Sequence, residues 1–495
     1  MQYYVADLGT TNLKLAVVQT PYTIIETIEA RNIIDQDETG KHESNPERVV
    51  QQLKDLLGQM AVKYPDIDRL IFSTQMHALL ATNPDGEVLM QTMTWADLRA
   101  KQVAKAMREN GRGDKYFQIS GTPIHSMNPF VKLAYLNDAK PALFADTKVQ
   151  FMDIKAYIIR SLTGEFIIDY PTASSMGLLD IDGKKWSRDL LDLVKLTENQ
   201  LPSLQAPTAS YPVKADILAE LGLPTSFQLL LGSTDGALAN LANLAYAVEN
   251  QANDQLVSPF VFSFGTSGAI RYLTEDLVVS ERGALFTYMV DEGQYYIVGG
   301  PLNNAGNVLD WLYQNFAFNE LGMSFSQMLD ALHGEAVTDH GPYFLPYLNG
   351  ERAPYWNAFL RAEFKEIAGN TSRMAMAKAV FEGVFLEARQ VIELVLSTTD
   401  VALPSIQVNG KIFTDSAICQ WIANILGVPL QYVSSEDASV VGAGIMIEGP
   451  GLKPLPEVKI VMPETDQAAL YDTKFQAFKA YADQADIQSY AKLFL

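Results

Sequence analysis

Residues Tyr3 to Val18 read YYVADLGTTNLKLAVV. Two apolar, β-branched runs flank a turn of Gly9, Thr10 and Thr11, and Asp7 stands where the first run ends. The pattern predicts a β-hairpin. Half a chain later it returns as Phe260 to Ile270, FVFSFGTSGAI, with Gly265, Thr266 and Ser267 at the turn. Each stretch alone also reads as an ordinary hairpin with turn-type residues. A turn built from glycine and hydroxyls exposes backbone N–H and O–H donors, which suits an anion such as phosphate. The repetition points to two related domains holding a nucleotide.

The bulk numbers set the frame. A chain of 495 residues, 48% hydrophobic and 19% charged, is long enough for more than one core. The formal net charge of −21 argues against nucleic acid and anionic membrane surfaces as partners, because both need a cationic footprint. The single cysteine, Cys419, lies in an apolar stretch; it permits no intrachain disulfide and fits a reducing compartment. The first apolar run is only about six residues and is broken by Asp7, unlike a signal peptide. No apolar stretch reaches membrane-spanning length. The expectation is a soluble cytoplasmic protein.

A third extended run, Thr23 to Ala30, follows the first hairpin. Pro46 to Lys63 predicts a helix with Val49, Leu53, Leu56, Leu57 and Met60 on one face. Asp68 to Ser73 predicts a strand leading into Gln75-Met76-His77. Three antiparallel strands, a helix and a strand make an α/β layer. Further helical patterns lie at Arg99 to Glu109, Lys132 to Asn137, Ile154 to Leu162 and Arg188 to Lys195. The strand Phe227 to Leu231 leads to Gly232-Ser233-Thr234-Asp235-Gly236 and a small-residue helix. The polar stretch Val248 to Gln255 marks a domain boundary. The second half repeats the layout: the hairpin, strands at Leu285 to Met289 and Gln294 to Val298, and helices at Ala305 to Tyr313 and Ser372 to Leu396. A strand at Ser405 to Val408, a turn at Asn409-Gly410 and a helix at Asp415 to Leu426 follow. The resulting division is 1–247, 256–449 and a tail, 450–495.

Several familiar motifs are missing: G-x-x-x-x-G-K-[ST], G-x-G-x-x-G, H-E-x-x-H and C-x-x-C. With five histidines in all, a His-rich metal site is not available. Asp7 and Asp235 both close a strand at the edge where α/β sheets bind ligands. Such a carboxylate can hold Mg²⁺, act as general base toward a hydroxyl, or simply cap a helix or turn. Met76-His77 and Trp95-Ala96-Asp97-Leu98-Arg99 together offer an aromatic face with His, Asp and Arg donors and acceptors for a polyhydroxylated ligand. Arg99 can also grip a carboxylate with two parallel hydrogen bonds. A capping aspartate beside a core tryptophan reads equally from the same residues. His125 lies in the loop Gly121 to Pro129.

From about Tyr4 to Met446 the chain resembles the FGGY-family carbohydrate kinases. Asp-x-Gly-Thr-Thr, Met-His, Trp-x-Asp-x-Arg, the Asp235 turn, Gly-Thr-Ser-Gly and the late glycine turn stand in family order. Within the family, the details are similar to bacterial gluconate kinases: Thr94 to Arg99, the loop Gly121-Thr122-Pro123-Ile124-His125-x-Met127-x-Pro129, Ala173 to Gly177 and Gly299 to Asn304.

The resemblance implies an α/β fold of two actin-like ATPase (ribonuclease H-like) domains with an interdomain cleft that closes over both substrates. It implies phosphorylation of a terminal sugar hydroxyl by ATP with Mg²⁺. Asp235 then matches the catalytic base, and Asp7, with Asp235, the metal side. Thr10, Thr11, Asn12 and Lys14 match the first phosphate loop, and Gly265 and Thr266 the second. Gly306 and Asp310 fall near the nucleotide, and Gly410 opens the adenosine turn. Met76, His77, Asp97, Arg99 and His125 would line the sugar pocket. Lys411 replaces a second glycine usual in the family, with its ammonium able to meet a phosphate; Thr414-Asp415-Ser416 and Ala423-Asn424 also depart from the family pattern.

The leading expectation is conversion of D-gluconate and ATP to 6-phosphogluconate and ADP, with a sugar acid or sugar as the small-molecule partner. A xylulose or other polyol kinase is the runner-up. An actin-like ATP-dependent binding protein is the non-enzyme alternative. A homodimer is usual for the family.

Overall fold

The computed structural model describes residues 1–246, 258–338, 340–401, 405–432, 437–454 and 458–491. The chain forms two compact units: 1–249 with 273–297 and 436–454, and 250–272 with 298–435 and 455–495. Two stretches of the second half thus fold with unit 1. The expected boundary at Val248 to Gln255 lies outside the described residues.

In unit 1, β1 (Gln2–Leu8) and β2 (Asn12–Gln19) form the first hairpin, pairing Asp7 with Lys14 and Leu8 with Leu13. β3 (Thr23–Arg31) adds to β2, and α1 (Pro46–Lys63) covers the sheet. The α1 boundaries follow from local chemistry. The Asn45 side chain accepts from the Arg48 N–H, Pro46 enters the first turn, and the five expected apolar residues are buried. β4 (Arg69–Thr74) lies parallel to β1 on its other side. β5 (Ser210–Pro212) and β6 (Gln228–Thr234) complete the order β5-β6-β4-β1-β2-β3. β6 carries a bulge between Leu230 and Ser233. Gly232 sits in it at φ 65°, and a Cβ there would lie 1.8 Å from the Phe72 carbonyl oxygen. Only glycine fits, and the bulge re-aims the strand end that carries Asp235. α2 (Pro129–Ala139) carries Lys132, and α3 (Asp235–Leu241) opens with Asp235.

Unit 1 also holds a five-stranded sheet of short strands, in the order Ile34–Gln36, His42–Ser44, Val88–Met93, Leu79–Thr82, Gln150–Met152. The helix Gly113–Ser120 lies in the same unit. The sequence patterns predicted none of these.

Unit 2 repeats the main sheet. β7 (Phe260–Phe264) and β8 (Gly268–Thr274) form the second hairpin, and β9 (Tyr296–Leu302) neighbours β8. α4 (Gly306–Asn315) and α5 (Arg373–Thr399) follow. β10 (Ile406–Asn409) lies parallel to β7, α6 (Ser416–Leu426) follows it, and β11 (Leu430–Tyr432) is parallel to β10. β12 (Lys459–Val461) closes the edge antiparallel to β11. In both units the hairpin's first strand has the next strand parallel beside it, another parallel strand beyond, and an antiparallel edge. That shared wiring is the α/β arrangement expected of actin-like ATPase domains.

From residue 455 on, the stretch read as a tail belongs to this unit. α7 (Thr465–Ala491) buries Tyr471, Phe475 and Phe478 completely. Its Lys474 pairs with buried Glu382 of α5, which also accepts from the Tyr471 hydroxyl at 2.9 Å. Arg389 of α5 bonds Asp472, and Tyr355 donates to Asp483 at 3.0 Å. A chain ending at residue 454 leaves Glu382 and Arg389 without these partners; breaking one buried pair costs about 3–5 kcal/mol. The expected result is an insoluble product, or one melting well below the full chain, read by soluble yield and thermal denaturation.

Candidate active site

On unit 1 the site starts with the first hairpin turn. The buried Asn32 side chain donates to the Gly9 and Thr10 carbonyls at 2.8 and 3.1 Å, fixing the turn. The Thr10 hydroxyl donates to Gln75 Oε1 at 2.6 Å and accepts from Trp95 Nε1 at 2.9 Å. Thr10 therefore joins the turn to both segments read as sugar-binding. Thr11 is exposed, and Asn12 donates to Glu29 Oε2 at 3.3 Å. Lys14 reaches Asp437 at 3.3 Å.

Asp7 accepts from the Ser73 hydroxyl at 2.7 Å. Burial pushes its carboxyl up to about 6; the Ser73 bond and Lys14 pull against that rise, while the charges of Asp235 and Asp437 add to it. Asp235 opens α3, with Oδ1 accepting from the Gly236 N–H at 2.6 Å. A carboxylate whose proton affinity is raised by neighbouring carboxylates belongs to a hard-oxygen set that favours a divalent cation. Among the described residues no group of three or more His, Cys, Asp or Glu side chains forms a metal cage. A cation here would keep several non-protein ligands, as Mg²⁺ characteristically does.

Met76 is half-buried and precedes His77, which has φ 66°. His77 Nδ1 lies 2.8 Å from the Ser175 carbonyl oxygen, and Nε2 3.3 Å from the Tyr288 hydroxyl. Lys132 of α2 is fully buried, and its ammonium donates to the carbonyls of His77 and Thr94, both at 2.7 Å. Burial pushes that ammonium down to about 7, with the Asp97 charge opposing the shift and Arg99 adding to it. His125 is buried, with Nδ1 accepting from the Met127 N–H at 3.2 Å. Its loop is tied to the same turn as His77: Thr122 Oγ1 donates to the Ser174 carbonyl at 2.8 Å.

Asp97 and Arg99 are engaged differently from the sequence expectation. Asp97 is fully buried and accepts from the His42 N–H and the Arg99 N–H. Arg99 Nε lies 3.0 Å from both Asp97 oxygens, and Nη2 bonds Asp97 at 2.6 Å and Glu43 at 2.5 Å. The fork expected to receive a substrate carboxylate already serves two protein carboxylates. In this structure it braces the Trp95 loop against the small sheet.

On unit 2, Gly265, Thr266, Gly306, Asp310, Gly410 and Lys411 all line one cavity of about 780 Å³. The Gly306 and Asn307 N–H groups donate to the Gly265 and Thr266 carbonyls, both at 3.0 Å, seating the hairpin turn on the start of α4. Gly410 has φ 126°, and a Cβ there would lie 2.2 Å from the Phe264 carbonyl oxygen. Phe264, Leu309, Phe325 and Ile412 add apolar wall. Asp415 caps α6 by accepting from the Ala417 and Ile418 N–H groups. Two helix starts at a largely apolar cavity suit a ligand with an apolar ring and an anionic group.

Sequence patterns did not point to Ser73, Lys132, Tyr288 or Asp437, and Gln75 and Ser175 stood within motifs without an assigned role. Lys132 had a readable signal: a lysine among Phe130, Val131, Leu133 and Leu136. Asp437 and Tyr288 had none, since both lie far along the chain and join unit 1 only through its folding.

The model for the N-terminal domain of the FGGY family of carbohydrate kinases matches residues 2–242, and that for its C-terminal domain matches 260–447. A gluconokinase of Bacillus subtilis (strain 168) is 27% identical over 450 residues, covering 89% of this chain and 86% of that protein. A xylulose kinase of the same strain is 25% identical over 511 residues, covering 100% and 99%. Among solved structures, gluconate kinase from Lactobacillus acidophilus matches with TM-score 0.89 and 26% identity, over 100% of each chain. Ligand-bound xylulose kinase from that species matches with TM-score 0.89 and 26% identity, over 99% of this chain and 100% of that one. Among the described residues no helix is long and apolar enough to cross a membrane.

Proposed function

The chain belongs to the FGGY family of carbohydrate kinases, and we propose that the sugar it phosphorylates is D-gluconate, giving 6-phosphogluconate from ATP. It is thus an enzyme acting on a small-molecule sugar, and the reading as an ATP-dependent binding protein without such a substrate is set aside.

The observation that carries gluconate is the packing of two segments of gluconate-kinase type around the histidines. The Gly121–Pro129 loop and the Ala173–Gly177 turn meet through Thr122 and Ser174, and the turn's Ser175 carbonyl holds His77. His125 accepts a backbone N–H at Nδ1, so its neutral ring carries its proton on Nε2. That makes His125 a donor suited to the acid end of the substrate, a task Arg99 is too committed to perform. Met76 and His77 would face the hydroxyls, with Asp97 and Arg99 supporting the wall.

In the proposed reaction Asp235 takes the proton of the terminal hydroxyl as that oxygen bonds the γ-phosphorus and the bond to the β-phosphate oxygen breaks, releasing ADP. A positioned base contributes about 10²–10⁴-fold. Asp7 and Asp235 would hold Mg²⁺, which when bound neutralises charge on the transferring phosphoryl group. Thr10, Thr11, Asn12 and Lys14 would serve the phosphate side in unit 1. The unit 2 cavity would take the nucleotide, with Gly265, Thr266 and Lys411 toward its phosphates and Gly306, Asp310 and Gly410 about the nucleoside.

Xylulose is the second reading, favoured by the equal structural likeness to a xylulose kinase. Coupled ADP release on gluconate and on xylulose decides between them. A kcat/KM at least about 100-fold higher for gluconate is expected, corresponding to about 2.8 kcal/mol of transition-state discrimination. A preference for xylulose overturns the proposal.

A further inference from the structure

We infer that Tyr288, together with the Ser175 carbonyl, fixes the His77 imidazole in one tautomer and one orientation, making Tyr288 a positioning residue for the sugar side of the site. The inference rests on the proposed reading that His77 faces the sugar.

A carbonyl oxygen has no proton to give, so at 2.8 Å from Ser175 O the hydrogen must sit on His77 Nδ1. The neutral ring then presents a lone pair at Nε2. The Tyr288 hydroxyl lies 3.3 Å from that nitrogen and is the donor in this contact. The two rings meet edge to face, with centroids 5.6 Å apart at 64°. Tyr288 is itself immobilised: it is 1% exposed and stacks on Phe286 at 4.5 Å and 6°.

The strand Phe286–Met289 that carries Tyr288 is tied to the same frame. Met289 N–H donates to Ser174 Oγ at 3.1 Å, and Thr287 N–H to the Gly121 carbonyl at 2.8 Å. The His77 backbone is held separately, by Lys132 on its carbonyl and in the left-handed region that a side-chain-bearing residue seldom occupies. Both ring nitrogens and the carbonyl of one histidine are therefore set by three distant segments. Backbone strain held by its surroundings is a mark of functional positions, and a fixed ring lets His77 meet a hydroxyl with a defined partner role.

Tyr288→Phe removes one hydroxyl and keeps both ring contacts. Nitrogen-15 NMR of histidine-labelled protein, with His77→Asn to assign the signal, reads the tautomer directly. The expected wild-type signature is protonated Nδ1 and unprotonated Nε2. In Tyr288→Phe the proton stays on Nδ1 against the Ser175 carbonyl, while the Nε2 resonance loses its hydrogen-bond shift and broadens as the ring gains freedom. The kcat/KM for the sugar falls by about 5- to 30-fold, the scale of one buried hydrogen bond. The fall comes through KM for the sugar, with KM for ATP unchanged. A wild-type ring protonated at Nε2, or an unchanged His77 signature in Tyr288→Phe, overturns the inference. If the signature behaves as expected but His77→Asn leaves sugar kinetics untouched, it is the placement of His77 at the sugar that fails.

Discussion

Asp235→Asn lowers kcat for sugar-dependent ADP formation by at least about 100-fold, the lower end of what a positioned base contributes. KM for the sugar stays within about threefold, because the lost interaction belongs to the transition state. The substitution is nearly isosteric, and the amide oxygen still accepts the Gly236 N–H that now bonds Oδ1. The bulge at Gly232 and the start of α3 do not depend on the charge, so the fold is kept. What the amide cannot do is take a proton. It also removes one of the negative charges that raise the Asp7 carboxyl, so Asp7 ionises more readily in the variant. A kcat within about threefold of wild type would falsify the base assignment. The measurement is a coupled ADP assay at saturating gluconate.

Arg99→Ala is expected to act on stability first. Asp97 has no exposed side-chain surface, and Arg99 is only 17% exposed. Alanine strips the Asp97 carboxylate of its guanidinium bonds and Glu43 of its Nη2 donor. Removing one partner of a buried ion pair costs about 3–5 kcal/mol, because the other charge stays buried. The melting temperature of unit 1 falls accordingly. Any rise in the KM for gluconate follows from loosening of the Trp95 loop and extends to neutral sugars. Arg99→Lys recovers little, since an ammonium cannot reproduce the fork. An unchanged melting temperature with a gluconate-specific rise in KM would restore Arg99 to the substrate carboxylate. Differential scanning calorimetry beside kinetics on both sugars separates the two.

These expectations differ in how far the sequence carried them. The α1 boundaries were legible to the residue because Asn45 and Pro46 are local start signals and the apolar period is helical. Both hairpins were legible for the same reason: strand and turn chemistry act over a few residues. The small sheet was not, because its strands run three to six residues and depend on partners far along the chain. Gly265, Thr266, Gly306, Asp310, Gly410 and Lys411 could be picked out as motif residues, and the structure lines one cavity with all of them. Arg99 shows the opposite. Trp-x-Asp-x-Arg offers a guanidinium for a ligand, but Glu43 is 56 residues away in the chain and takes it.

The two glycine-hydroxyl hairpins, the strand-end aspartates Asp7 and Asp235 and the order of the motifs are properties of the sequence alone. They were enough to read two α/β domains with phosphate-suited turns, because turn geometry and hydrophobic period are short-range; the kinase reading came from the resemblance of the motif order to the FGGY family. Tertiary structure decided the partners. It set Tyr288 and Ser175 on the two nitrogens of His77, placed Asp437 in the field of Asp7, and closed Arg99 between Asp97 and Glu43. Those choices rest on desolvation and on which buried donor finds which acceptor, and such pairings span tens to hundreds of residues that no local pattern links.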